Sequence, residues 1–103
     1  MLIIKELVKQ IDEELKDSRK YAEKALTHKH EHKELADVYY MLSNEEMKHV
    51  GILHGEVVKI IREYQEKNGD PPAAMKAIWD WKHEEHIEDA HEIEMMQKSF
   101  DEK

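Results

Sequence analysis

Apolar residues recur along the chain at alternating three- and four-residue steps, the period of a helix buried on one side. Ile4, Leu7, Val8, Ile11, Leu15, Ala22, Ala25 and Leu26 predict a first helix over about residues 2–27. The pattern lapses in the polar stretch "THKHEHKE" (27–34), which has neither Gly nor Pro, and the lapse predicts a turn near 28–32. Leu35, Tyr39, Leu42, Glu46, His49, Leu53, Val57, Ile60 and Tyr64 predict a second helix over about 33–67. "NGDPP" (68–72) ends it: Asn68-Gly69 signals a C-cap, Asp70 suits an N-cap, and Pro71 suits the first position of the next helix. Trp79, His83, His86, Ala90, Ile93, Gln97 and Phe100 predict that third helix over about 71–100. Short turns make consecutive helices antiparallel neighbours. The expected fold is all-α, a bundle of three long antiparallel helices in one domain over 1–103.

Composition narrows the chemistry. With three Gly and two Pro in 103 residues, few breakers interrupt the helices. Having no cysteine, the chain has no disulfides, thiolate metal sites or thiol catalysis. A formal net charge of -8 argues against nucleic acid as the main partner. No apolar run approaches the roughly 18 residues that would span a bilayer, and "MLIIKELVKQ" lacks the apolar core and cleavage site of a signal peptide. The expectation is a cytoplasmic protein. No phosphate loop, nucleophile elbow or basic recognition helix is present. "HKHEH" (28–32) reads as a polar turn, and the six methionines read as gap-filling core.

Glu46 and His49 break the apolar stripe of the second helix where Leu or Ile is expected. Ser43 stands three residues before Glu46, which is also the capping-box pattern, but the stripe keeps its phase through Ser43 as no helix break would. A carboxylate on a buried face is costly unless it is paired or bound to a cation. Glu-x-x-His puts both side chains on one face one turn apart, and carboxylate with imidazole suits iron, manganese and, in some sites, zinc. In di-iron carboxylate bundles two helices each give a Glu and two others each give Glu-x-x-His. Counting back from a turn near residue 30, the position level with Glu46 falls near residue 14, and Glu14 stands there.

Glu14 and Tyr21 seven residues apart in the first helix, followed by Glu46 and His49 in a long second helix, resemble the ferritin-like superfamily. The similarity is greatest to the first helical hairpin of rubrerythrin-type proteins and covers about residues 7–65. It implies that Glu14, Glu46 and His49 are metal ligands and that Tyr21 lies beside them as a hydrogen-bonding support. It further implies a carboxylate-bridged di-iron site that oxidises iron or reduces oxygen or peroxide, with manganese or zinc as other fitting metals.

A complete site of that kind needs four core helices and a second Glu plus Glu-x-x-His set, which one chain lacks. Two hairpins related by a two-fold axis supply it, as in encapsulated ferritins, so a homodimer or larger homo-oligomer is expected. Met47, Gly51, Gly55 and Val58 form a spare face of the second helix for that contact. The third helix is the other source of ligands: His83 and His86 lie on its stripe, and Glu88 with His91 repeat Glu-x-x-His on the opposite side. From a different class, the chain also fits a non-catalytic structural or partner-binding bundle, with or without metal, since fold does not establish activity.

Overall fold

In the computed structural model, which describes residues 2–102, the chain forms three helices and no strand. They are α1 (Leu2–His28), α2 (Lys33–Asn68) and α3 (Ala73–Asp101). The two terminal residues of the expected domain lie outside the described residues. The all-α expectation holds, and the turn expected at 28–32 is there: His32 takes φ -136° and ψ 69°, and His32 N–H donates to His28 O at 2.9 Å. Gly69 ends α2 at φ 77°, a conformation that suits glycine, with its N–H donating to Gln65 O at 3.0 Å.

The start of α3 differs from expectation. Asp70 does not cap it and Pro71 is not its first residue; Pro72, at φ -50° and ψ 140°, is the boundary residue before Ala73. The cause is the Pro-Pro pair. A residue that precedes proline is pushed out of the helical region, so Pro71 stays outside the helix, which begins two residues later.

The bundle is a rod of 56 × 18 × 17 Å that runs up, down, up. Pairs between α1 and α2 run with opposite numbering (Ser18 with Ser43, Glu14 with His49), so these helices are antiparallel. Pairs between α1 and α3 rise together (Asp12 with His86, Arg19 with Glu92, Lys29 with Ser99), so these two are parallel. α1 is the central helix: it packs closely along α2 and against α3, whereas α2 and α3 stand further apart and meet through side chains such as Tyr40 with Phe100 and Ser43 with Gln97. The apolar core is Ile4, Ile11, Leu15, Val57 and Ile93, walled by small residues such as Ala22, Ala25 and Ala36 that let the helices close up.

One polar seam crosses this core. Ser18 Oγ donates to Ser43 O at 2.8 Å, Ser43 Oγ donates to Ser18 O at 2.9 Å, and Gln97 Nε2 donates to Ser43 Oγ at 2.9 Å. Both serines are fully buried, and all three helices contribute. Ser43 is therefore neither a helix cap nor a bystander in the middle of α2. Replacing it with alanine leaves the Gln97 amide without its acceptor and the hairpin without half of its reciprocal pair, which costs about 1–3 kcal/mol. Urea unfolding of Ser43→Ala is expected to show that loss; a change within about 0.5 kcal/mol, the scale of a neutral surface substitution, contradicts the seam.

Candidate metal centre

The buried face of α2 is turned relative to the stripe read from sequence. Its most buried residues are Ala36, Ser43 and Val57. Packing against two helices rather than one moves the centre of burial toward α3. Tyr40, Met47 and His54 thereby turn toward α3, while Leu35, Leu42, Glu46, His49 and Leu53 fall on the other flank. Glu46 and His49 consequently lie at the edge of the core rather than in it, with side chains 19% and 53% exposed.

α1 makes the same division. Asp12 and Glu14 are two residues apart, about 200° around the helix. Asp12 faces α3, where it meets His86 and Lys82, and Glu14 faces the flank that α3 leaves open, where it meets His49. Glu14 is held from one side, because Gln10 Nε2 donates to its Oε1 at 2.9 Å. Its Oε2 lies 3.4 Å from His49 Nδ1, and Glu46 Oε2 lies 3.7 Å from the same nitrogen.

Glu14, Glu46 and His49 thus offer one ligand atom each within 4.8 Å of one another, and no other such trio exists among the described residues. Glu46 Oε2 is buried and has no hydrogen-bond partner. Neither carboxylate pairs with a Lys or Arg among the described residues; their cationic partner is His49, when protonated. Two carboxylates that share a part-buried edge without a fixed cation, one carrying an orphaned oxygen, fit a metal ion in charge and in donor type. The group opens on a shallow cleft of about 430 Å³ lined by Gln10, Glu14, His49, Ile52 and Leu53. The more enclosed apolar cavities, of about 220 and 250 Å³, lie toward one end of the rod around Ile4, Met75 and Trp79, away from these ligands.

No family model, curated protein or solved structure matches this chain. The reading of the site therefore rests on its own residues.

The other sequence candidates lie elsewhere. Tyr21 stacks on Tyr39, with centroids 6.1 Å apart, about 10 Å along α1 from Glu14, and among the described residues no hydrogen bond joins it to the cluster. Glu88 and His91 are exposed on the outer side of α3. His86 is buried and its Nε2 donates to Asp12 Oδ1 at 2.6 Å, while His83 stacks on His54 with centroids 4.8 Å apart. None of the four joins the trio. Of the spare face expected on α2, Met47 packs on the core, whereas Gly51 and Gly55 are exposed with open space beside them; the flank that carries Glu14, Glu46 and His49 is a second open side of the hairpin.

Sequence reading passed over Asp12 and His54. Periodicity alone carries a signal for Asp12, since a stripe histidine such as His86 needs a partner and Asp12 borders the stripe residue Ile11. His54 directly follows Leu53, and only the rotated face of α2 brings it inward.

Two outcomes follow for the metal-free protein. Glu46→Gln removes an orphaned charge beside a second carboxylate, so it is expected to raise stability by about 1 kcal/mol, or about 4–8 °C in Tm, for a domain of this size; a lower Tm contradicts this account of Glu46. His54 has its pKa lowered, chiefly by burial and then by the charges of His83 and His86. Asp12, Lys82 and Glu85, which also pairs with Lys82, are charged groups at that side of α3. A base with a lowered folded pKa binds fewer protons folded than unfolded, so its share of stability is intact above the ordinary histidine pKa near 6.5 and falls as pH drops below it. Thermal melts from pH 7.5 to 5 are expected to fall less steeply for His54→Gln than for the parent, and parallel curves contradict the assignment.

Proposed function

We propose that this protein is a ferritin-like metal-binding bundle and that Glu14, Glu46 and His49 are half of a carboxylate and imidazole di-iron site. The observation that carries the reading is the convergence of these three ligand atoms within 4.8 Å around an orphaned, buried carboxylate oxygen. Glu14 and Glu46 would hold the metals and neutralise their charge, and His49 would supply the nitrogen donor. Iron held by such a set supplies oxidation of ferrous iron or reduction of oxygen or peroxide; manganese and zinc also suit the donors. Gln10 keeps the Glu14 carboxylate turned toward the other two groups.

A second copy laid across the open side of the α1–α2 hairpin completes the set. The half-site sits on that surface, and the apolar side chains Leu35, Val38 and Ile52 are exposed on the same helix. A two-fold axis there brings two Glu14, two Glu46 and two His49 together and covers those side chains. No described helix is long and apolar enough to cross a membrane. A cytoplasmic homodimer, or a larger assembly built on it, is the form proposed. The half-exposed His49 and the count of three ligands per chain favour one second reading, a non-catalytic bundle that binds metal weakly or serves as an interaction module.

Iron content and sedimentation, measured together, test the proposal. The expected result is a dimer with two iron ions that consumes oxygen on addition of ferrous iron. His49→Ala and Glu46→Gln are expected to weaken binding at least tenfold, while Glu88→Ala and His91→Ala leave it unchanged. Ile52→Glu is expected to yield a folded monomer that has lost the iron. A metal-loaded parent monomer, or equal loss from both pairs of variants, overturns the two-fold site. Binding without oxygen consumption selects the second reading.

A further inference from the structure

The side of the hairpin that faces α3 carries a different group of ligand-type residues. His54 on α2 and His83 and His86 on α3 border one open cleft of about 240 Å³, whose remaining walls are apolar, among them Ile11, Met47 and Val50. Two ring nitrogens there, His83 Nδ1 and His86 Nδ1, are buried and have no hydrogen-bond partner. His86 is only 5% exposed, so its free nitrogen has no ready route to bulk water. The opposite nitrogen of His86 is engaged, donating to Asp12 Oδ1 at 2.6 Å. Asp12 is itself held by Lys82 Nζ at 3.2 Å.

An imidazole whose one nitrogen is fixed by a carboxylate and whose other is buried and free is the arrangement that orients metal-binding histidines. Buried polar atoms are otherwise almost always satisfied, and the apolar walls offer these nitrogens nothing. We propose that His54, His83 and His86 form a second metal site, specific for a borderline-soft ion such as zinc and separate from the carboxylate cluster. Three neutral imidazoles with no direct carboxylate select zinc or copper over calcium, magnesium or manganese.

The rings are not yet converged. His54 and His83 lie stacked at 4.8 Å between centroids and 17° between planes, with Trp79 stacked on His83 in turn. Closing the site requires the His54 and His83 rings to turn out of that stack toward His86. His83 and His86 stand three residues apart on one face of α3, the spacing at which two helical side chains can share an ion. The consequence is mechanical. The backbones of α2 and α3 come close at only a few points, so an ion held by His54 from one and two histidines from the other adds a fastening between the third helix and the hairpin.

The test uses zinc and the full chain carrying His49→Ala, so that the carboxylate site is disabled and its success or failure does not enter the result. Isothermal titration is expected to show one zinc ion per chain and a rise in Tm on saturation. His83→Gln in that background is expected to weaken zinc at least tenfold, as is His54→Gln; neither residue is fully buried, and circular dichroism checks that both variants fold. His30→Gln, in the surface turn, is expected to leave binding unchanged. No zinc binding by the His49→Ala protein overturns the proposal, and so does binding that His54→Gln and His83→Gln leave intact.

Discussion

The register of the three helices depends on the polar seam of Ser18, Ser43 and Gln97. An apolar core alone tolerates sliding, because one aliphatic contact substitutes for another at similar cost. Buried hydroxyls do not, since each loses its partner if its helix shifts along the rod, and an unsatisfied buried polar group costs more than a made hydrogen bond gains. The reciprocal bonds between Ser18 and Ser43 fix α1 against α2, and the Gln97 amide fixes α3 against both. With Ser18 level with Ser43, Glu14 one turn away must stand level with Glu46 and His49. The candidate metal centre is thus placed by a hydrogen-bonded pair that takes no part in it.

The position of α3 decides the chemistry of the two flanks. By docking on the side of α1 that carries Asp12 and Arg19, it draws those charges into ion pairs with His86, Lys82, Asp89 and Glu92. It leaves Glu14, on the far flank, with no cation from the third helix. An acidic group on one side of α1 is therefore paired with the third helix and one on the other side is left without a Lys or Arg partner, although "IDEELKD" gives no outward sign of the difference.

The same docking sorts the histidines. His49 stays half-exposed beside two carboxylates, a setting that favours a cation among anionic donors. His54, five residues later and toward α3, is part-buried among other imidazoles, and that burial lowers its pKa. Two sets of donors with different metal preferences can sit on one short helical rod because its central hairpin is covered on only one side.

The sequence by itself determined the three helices, their ends to within two residues, and the pairing of Glu14 with Glu46 and His49. Helical periodicity and the paucity of breakers are local properties, and the level of Glu14 follows from counting out from the turn. What local pattern leaves open is also local: α3 starts two residues after Pro71 because the following Pro72 keeps Pro71 out of the helix. Tertiary structure alone decided which way α2 faces. A stripe marks a wide arc of a helix, and only the arrival of α3 selects Ala36, Ser43 and Val57 as its centre and leaves Glu46 and His49 at the rim. Likewise the partnership of Asp12 with His86 joins residues 74 apart in the chain, a contact that no local pattern encodes and that exists because α3 returns parallel to α1.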